Sequence, residues 1–257
     1  EYYEFKLVRE ALIERERLLK AAPHLIYPLE FVLPHQHTLR PKWMVRAGLF
    51  LYDHLGGRMS LPKSRSVRNG PYLAPLAGAR DGFVYSDAWV DDARLVVLNA
   101  IDAADNGAAI RTRTELVSAR REGGLWCATL SDGEVTARAI VNAAGPWVAE
   151  IGQRLGLNSK AGARLIRGSH IIVPRLFEGA HAYILQQPDR RIVFAIPYEN
   201  GTTLVGTTDV PVESAAEAQI SDAETDYLLA AVNRYFEAQT ARADILATYA
   251  GIHSLYD

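Results

Sequence analysis

The sequence contains very little cysteine and no long apolar segment. Its one cysteine, Cys127, excludes an internal disulfide framework and fits a reducing compartment. No uninterrupted apolar run reaches the roughly 20 residues that a membrane-spanning helix needs, and no signal peptide opens the sequence. Basic and acidic residues nearly balance, at 28 and 30 of 257, so the composition argues against a nucleic-acid partner.

A nucleotide-binding turn is also absent. Nowhere does the sequence contain Gly-x-Gly-x-x-Gly, the turn that seats a dinucleotide pyrophosphate at the start of a helix. What the sequence does have is apolar content of 49%, which is enough to form the core of one large domain or two modest ones.

The most informative stretch lies between a predicted strand and a predicted helix. Apolar residues alternate over 135–141, as in a strand, and the small residues Ala143, Ala144 and Gly145 follow as a turn. Pro146 suits the first turn of a helix, and the residues after it have helical spacing. Such a turn presents backbone amides to an anionic group, although an ordinary strand-to-helix connection has the same pattern. The residues alone leave both interpretations open.

Residues 141–147, VNAAGPW, resemble the second flavin-binding fingerprint of the D-amino-acid-oxidase-like flavoproteins. Four other motifs resemble the FAD-dependent glycerol-3-phosphate dehydrogenases of the bacterial respiratory type: YSDAWVDDARL at 85–95, IRGSHIIVP at 166–174, RRIVFAIP at 190–197 and GTTD at 206–209. The similarity keeps its order along the whole sequence. In that family the nucleotide-binding turn comes first and a closing portion follows, so the resemblance implies an internal portion of a larger enzyme.

The resemblance implies an α/β fold with α+β elements. It combines part of an FAD-binding domain, of the D-amino-acid-oxidase and glutathione-reductase type, with an antiparallel-sheet substrate domain. Residues 1–150 are expected to form the partial FAD-binding domain and residues 151–244 the substrate domain. Residues 245–257 are expected to form a strand that returns to the FAD-binding domain.

Local patterns predict the individual elements. Helical periodicity predicts helices over 1–21 and 42–55, and Asp91 or Asp92 is a good N-cap for a third helix. Residues 22–41, interrupted by four prolines, and residues 63–82, rich in proline, glycine and arginine, are expected to be irregular. Strands are predicted at 110–120, 125–130, 134–141, 164–173, 182–186, 191–196, 202–207 and 245–252, and the capping box Ser221-Asp-Ala-Glu224 opens a last helix.

By the same resemblance, FAD is the expected cofactor. Ser60 and Leu61 would run beside the flavin, and the backbone of Val117 would lie near the adenine. The remaining residues expected at the cofactor are those of the small-residue turn and the returning strand: Ala143, Ala144, Gly145, Trp147 and Gly251.

His170 is the candidate base, or else a group that orients the substrate, for oxidation of a secondary alcohol, which needs a group to take the hydroxyl proton. Imidazole titrates near neutral pH, and Gly168 and Ser169 leave room for a ligand at what we predict to be the mouth of a strand. A histidine hydrogen-bonded within a sheet would give the same sequence pattern. The resemblance favours the site, because the family motif basic-Gly-x-His contributes a histidine to the substrate pocket.

The end of the sequence departs from the family pattern. In the family, Gly-[Val/Ile]-Arg-Pro-Leu supplies an arginine to the substrate phosphate, whereas this sequence reads Gly251-Ile-His-Ser-Leu255. His253 is shorter than arginine and only partly charged, so phosphate binding should weaken unless another cation compensates. Arg167 is a spare cation nearby, although a structural role is favoured for it. An altered substrate, a degenerate gene copy and a sequence error all remain open explanations.

Residues 40–68 form a basic segment with one acidic residue, Asp53, around an amphipathic helix. Such a segment can lie on an anionic membrane surface or pack on its own domain, and resemblance to an enzyme that delivers electrons to quinone favours the membrane. We expect a cytoplasmic protein that is peripheral on the inner face of the cytoplasmic membrane. Whether it forms a homodimer stays open. His35 and His37 are too weak a pattern to predict a metal site, and no metal is expected.

Three hypotheses follow from these observations. The first is oxidation of sn-glycerol 3-phosphate to dihydroxyacetone phosphate, with FAD as cofactor and quinone as electron acceptor. The second is a related flavoprotein that uses oxygen, or that acts on another polyol phosphate or an amine. The third is a non-catalytic domain that only binds a partner or a membrane.

Overall fold

The computed structural model describes residues 5–36, 40–57, 59–157 and 163–256. The helices in these ranges are α1 (Phe5–Ala21), α2 (Lys42–Leu55), α3 (Asp92–Asp105), α4 (Val148–Arg154) and α5 (Asp222–Asn233). The strands are β1 (Ile26–Pro34), β2 (Arg65–Arg68), β3 (Asp81–Val90), β4 (Leu116–Glu122), β5 (Leu125–Leu130), β6 (Gly133–Ala137), β7 (Ala163–Pro174), β8 (Ala182–Gln186), β9 (Ile192–Tyr198), β10 (Thr202–Gly206), β11 (Val210–Val212) and β12 (Ala247–Tyr256). Judged by length and hydropathy, none of these helices qualifies as a membrane span.

The chain divides into two compact units, each assembled from separate segments. Unit 1 contains the described residues of 1–98, 169–208 and 220–249, and unit 2 contains those of 99–168, 209–219 and 250–257. These units are discontinuous in sequence, unlike the contiguous domains expected at 1–150 and 151–244. Which functional domain each segment serves therefore stays a prediction.

Unit 1 is built on a mostly antiparallel sheet. Its strands follow the order β7-β10-β9-β8-β1-β3-β2, and only β1 and β8 pair in parallel. The antiparallel strands predicted at 164–207 are confirmed. In the register, Gly206 of β10 lies opposite His170 of β7 on one side and opposite Phe194 of β9 on the other.

Apolar side chains pack on both faces of this sheet. On one face, Ile171 and the other inward strand residues pack against Leu228 and Val232 of α5, and all three named side chains are fully buried. On the other face, Phe31 belongs to a smaller apolar cluster. Successive residues of a strand point to opposite faces, so His170 lies on the face away from α5.

Side chains cap two of the helices as predicted. Ser221 Oγ accepts a hydrogen bond from Glu224 N, and the Glu224 carboxylate accepts one from Ser221 N at 2.9 Å, which confirms the capping box of α5. The Asp91 carboxylate accepts a hydrogen bond from Arg94 N at 3.1 Å at the start of α3. The helix predicted at 42–55 is confirmed as α2, and the helix predicted at 1–21 is confirmed over its described residues as α1.

Unit 2 contains an antiparallel meander in the order β4-β5-β6. Gly123, Gly124 and Gly133 have positive φ in the two connecting turns, so the predicted hairpins are confirmed. The register between β4 and β5 shifts between Leu116 and Ser118. The residue between them, Val117, is therefore left out of the ladder as a bulge.

Two segments predicted to be irregular contain strands. Residues 22–41 include β1, even though Pro28 lies within it. Pro28 stands opposite Ala88 of β3, while β1 pairs with β8 only at Phe31 and Val32. The missing amide of Pro28 therefore faces no second strand, which is the position where a sheet tolerates proline. Residues 63–82 include the short edge strand β2.

Two further predictions about strands are wrong. The strand expected to reach Val141 ends at Ala137, because Ala137 already pairs with Trp126 near the beginning of the partner strand β5. Val141 is 88% exposed and so gains nothing from packing. His170 lies inside β7, four residues before its end, and not at the mouth of a strand.

Candidate functional site

The His170 ring is enclosed by an aromatic side chain and a glycine. It stacks on the Tyr249 ring of β12, with ring centroids 4.7 Å apart and planes at 9°. A Cβ atom at Gly206, opposite in the register, would come within 2.0 Å of the His170 ring. The imidazole therefore occupies the space that any side chain at position 206 would need.

Electrostatics favour the neutral form of His170. Burial lowers the pKa of the imidazole below its ordinary value, so the neutral ring, which can accept a proton, dominates near neutral pH. Among the described residues, nothing forms a hydrogen bond with its buried Nδ1 atom. Buried nitrogens are normally paired, so this unsatisfied atom is an exception within the described residues. Burial, with help from Tyr198 and Asp92, raises the pKa of the neighbouring Tyr249.

Sequence reasoning missed the roles of Gly206 and Tyr249. The sequence does contain a signal for Gly206, because a glycine at the end of a strand of β-branched residues often marks the close approach of another group. Tyr249 carried no such signal, since the contact with His170 depends on how β12 lies beside β7.

In unit 2, the turn at 142–147 is shaped by its own asparagine. Asn142 Nδ2 donates to Val148 O at 2.8 Å, and Asn142 Oδ1 accepts from Ala144 N at 3.3 Å. Gly145 has a φ of +54°, and a Cβ atom there would have no neighbour within 4 Å. Trp147 is 53% exposed. The turn thus presents an open stretch of backbone, which fits the approach of a large ligand.

The end of β12 contacts this same turn. Ser254 Oγ donates to Gly145 O at 3.4 Å, a contact that a proline at position 254 could not make. Gly251 and His253 of this strand are exposed, as is Ala143 of the turn. Within unit 2, the structure therefore brings the sequence motif expected to bind substrate next to the turn expected to bind cofactor.

Two other predicted residues of unit 2 have different surroundings. Val117 is half-exposed at its bulge, where its backbone groups are not part of the strand ladder. Arg167 Nη1 donates to Glu217 O at 3.0 Å, so its guanidinium ties β7 to the segment after β11.

The remaining predicted cofactor residues belong to unit 1, as His170 does. Ser60 N and Ser60 Oγ both donate to Glu16 Oε2, at 2.9 and 2.7 Å. Burial raises the pKa of Glu16, but these hydrogen bonds and Arg15 outweigh it and lower the pKa overall. Leu61 is buried beside them. His37 and Arg58, which belong to the predicted histidine pair and basic segment, lie outside the described residues.

Helix α2 exposes large apolar side chains, and basic residues in and near the helix form ion pairs with acidic residues. Trp43 and Phe50 are 70% and 55% exposed. Lys42 forms an ion pair with Asp81 at 2.9 Å, and Arg65, after the helix, forms one with Glu30 at 2.7 Å. Part of the positive charge of the basic segment is thus neutralised within the chain.

Comparison with known proteins places these features in context. The model of the FAD dependent oxidoreductase family (DAO) matches residues 1–257. A glycerol-3-phosphate dehydrogenase of Pseudomonas aeruginosa is 59% identical over 264 residues, covering 100% of this chain and 52% of that protein. A D-erythritol 1-phosphate dehydrogenase of Brucella abortus is 51% identical over 268 residues, covering 100% of this chain and 53% of that protein. The chain spans about half the length of the curated relatives it matches.

A solved structure shares the fold. The L-alpha-glycerophosphate oxidase of Mycoplasma pneumoniae, with FAD bound, superposes with a TM-score of 0.78 at 15% identity, covering 98% of this chain and 69% of that one. This agreement confirms the predicted fold class, a mixed α/β protein of the D-amino-acid-oxidase type.

Substitution of Gly206 tests the packing around His170. In Gly206→Ala, the new methyl group would overlap the imidazole, so the ring must leave its place against Tyr249. We expect a loss of about 1–3 kcal/mol in the free energy of unfolding, measured by urea denaturation. Gly48→Ala is the control, because a Cβ atom there meets nothing within 4 Å on α2. Equal stability of Gly206→Ala and the wild type would contradict the packing.

The lowered pKa of His170 gives a pH dependence with a definite sign. At pH values below 6.5, the ordinary pKa of histidine, the His170 imidazole binds a proton in the unfolded chain more readily than in the folded protein. The free energy of unfolding should therefore fall as pH drops below about 6.5, and it should fall less in His170→Gln. Burial also lowers the pKa of His181, against the opposing effect of Glu30, so part of the decline should remain. Urea denaturation between about pH 7.5 and 5 measures the difference.

The exposed His24 supplies the control for this measurement. His24→Gln should decline with pH as the wild type does. A His170→Gln variant with the full wild-type decline would show that burial does not hold the His170 ring neutral.

Proposed function

Because the chain belongs to the FAD dependent oxidoreductase family, we propose that the gene product carrying it oxidises sn-glycerol 3-phosphate to dihydroxyacetone phosphate. The observation that carries the proposal is His170, a partly buried imidazole with a lowered pKa and an unsatisfied Nδ1, which lies against Gly206 and Tyr249. The similarity to a glycerol-3-phosphate dehydrogenase supports the choice of substrate.

FAD is the cofactor of this family, and when bound it supplies the acceptor for the substrate hydride, which no side chain can provide. The residues that we assign to it are Ser60, Leu61, Val117, Ala143, Ala144, Gly145, Trp147 and Gly251. The open backbone at Gly145 and the bulge at Val117 support this assignment, because both leave main-chain groups available to a ligand.

His170 acts as the general base in this proposal. Its neutral ring takes the proton of the substrate C2 hydroxyl as the carbon–oxygen double bond forms. Stacking on Tyr249 and the lack of a side chain at Gly206 fix the plane of the ring. Partial burial lowers the pKa of the ring, which favours the free base before the substrate binds.

His253 and Arg167 are proposed to bind the substrate phosphate. His253 is exposed on the strand whose Ser254 contacts Gly145, so its imidazole is accessible to a ligand. A neutral histidine donates from one ring nitrogen and a protonated one from both, and neither form has the planar fork of arginine, so histidine binds a phosphate more weakly.

Quinone is the proposed electron acceptor, reached at a membrane surface. The exposed Trp43 and Phe50 of α2 would contact the lipid headgroup region, and the ion pairs of Lys42 and Arg65 favour apolar over electrostatic attachment. We accordingly propose a cytoplasmic protein, peripheral on the inner face of the cytoplasmic membrane.

A second candidate function is oxidation of a different polyol phosphate. The similarity to a D-erythritol 1-phosphate dehydrogenase and the histidine at position 253 both favour it. Measurement of kcat/KM for sn-glycerol 3-phosphate and D-erythritol 1-phosphate, side by side, separates the two candidates.

Removal of the proposed base is the direct test of function. In the whole gene product, His170→Ala should reduce dihydroxyacetone phosphate formation by about 100-fold or more, the usual contribution of a general base. Flavin content, read from the visible absorbance, should stay at the wild-type level. His24→Ala, an exposed change, should keep the wild-type rate. Wild-type turnover in His170→Ala would end the assignment.

Restoration of arginine at the end motif tests phosphate recognition. His253→Arg should lower the KM for sn-glycerol 3-phosphate by roughly tenfold, equivalent to about 1.4 kcal/mol, because a guanidinium binds phosphate bidentately. His253→Gln removes the charge and should raise KM. If all three proteins share one KM, position 253 does not face the phosphate.

A further inference from the structure

A buried polar cluster lies behind His170 and has no part in the proposed mechanism. The Glu224 cluster consists of Ser169, Thr208, Ser221 and Glu224, all in unit 1. Ser169 and Thr208 are fully buried, and Glu224 is only 5% exposed. A carboxylate so far from water requires that its oxygens be paired with donors.

The Glu224 carboxylate receives hydrogen bonds from β7, from the segment after β10 and from the N-cap residue of its own helix. Oε1 accepts from Ser169 Oγ at 2.7 Å and from Thr208 Oγ1 at 2.9 Å. Oε2 accepts from Ser221 N at 2.9 Å and from Ser221 Oγ at 2.7 Å. Thr208 Oγ1 in turn accepts from Ser169 N at 2.9 Å. The carboxylate thus joins the start of α5 to β7 and to the segment that follows β10.

Helix capping alone does not explain this arrangement. Glu217 also completes a capping box, with Ser214, and its exposed carboxylate accepts only from nearby backbone amides. Capping therefore needs neither burial nor contacts with β7. The two bonds from Ser169 and Thr208 are additional to the cap.

Strand geometry connects the Glu224 cluster to His170. Ser169 precedes His170 in β7, and its side chain points to the α5 face while the imidazole points to the other. Thr208 follows Gly206, the register partner of His170, by two residues. Through the side chains of Ser169 and Thr208, Glu224 therefore holds β7 and the segment after β10 close to the place where the imidazole meets Gly206, on the face away from the imidazole.

We propose that Glu224 is a positioning residue for His170, which acts by fixing Ser169 and Thr208 so that the imidazole stays stacked on Tyr249 over Gly206. For its effect on turnover, the inference rests on the function proposed for His170. The placement of the ring itself is a structural consequence and can be measured separately.

The first experiment measures the position of the ring without reference to activity. In the whole gene product with ring-labelled histidine, the NMR signal of His170 is identified by its loss in His170→Ala. Stacking on the Tyr249 ring changes the chemical shift of this signal. In Glu224→Ala and Ser169→Ala, the chemical shift should therefore move toward that of an unstacked imidazole. Ser221→Ala is the matched control, because it removes the cap but keeps the bonds from Ser169 and Thr208. A signal that stays unmoved in Glu224→Ala and Ser169→Ala would overturn the proposal.

The second experiment measures coupling in turnover. Glu224→Ala should lower kcat by up to about 100-fold, the scale of an ångström-sized misplacement of a catalytic group, and should cause no further loss in a His170→Ala background. Equal losses in both backgrounds would overturn the positioning role. If Glu224→Ala does not fold, Ser169→Ala and Thr208→Val replace it. Unchanged turnover in His170→Ala would defeat the proposed function, while the NMR signal would still decide whether Glu224 places the ring.

Discussion

The antiparallel pairing of β7 with β10 is the interaction on which the candidate site depends. It sets His170 opposite Gly206, where the lack of a side chain makes room for an imidazole. The same alternation sends Ile171 to the other face, under α5. A shift of this register by one residue would send His170 into the apolar core and Ile171 to the site.

The two faces of the sheet in unit 1 therefore have different surroundings. The face under α5 holds the largest apolar cluster, with Leu228 and Val232 fully buried, and provides the rigidity. The opposite face carries the imidazole, whose burial lowers its pKa and leaves Nδ1 unsatisfied. The packed core and the proposed catalytic group thus lie on opposite sides of the same strands.

Much of the fold could be predicted from the sequence because its signals are local. The capping box at Ser221, the glycine turns of the meander and the β-branched runs from 164 to 207 each determine their own element. The strand β1 could not be predicted, because Pro28 is tolerated only where no second strand pairs with it. Such tolerance depends on the arrangement of neighbouring strands, which a local pattern does not contain.

The candidate site could be predicted only in part for the same reason. His170 and the turn at Gly145 were found through motifs that keep their order along the chain. Gly206 and Tyr249 complete the surroundings of the imidazole, but their contacts join positions 36 and 79 residues away from it. The bulge at Val117 likewise depends on the register between two strands.

Under the proposed function, the whole gene product removes hydride from C2 of a polyol phosphate. Anaerobic mixing of the whole gene product with sn-glycerol 3-phosphate, followed by flavin absorbance in a stopped-flow instrument, tests it directly. The account predicts rapid bleaching of the flavin, and slower bleaching when C2 carries deuterium. A flavin that stays oxidised, or bleaching at the same rate with the deuterated substrate, would contradict it.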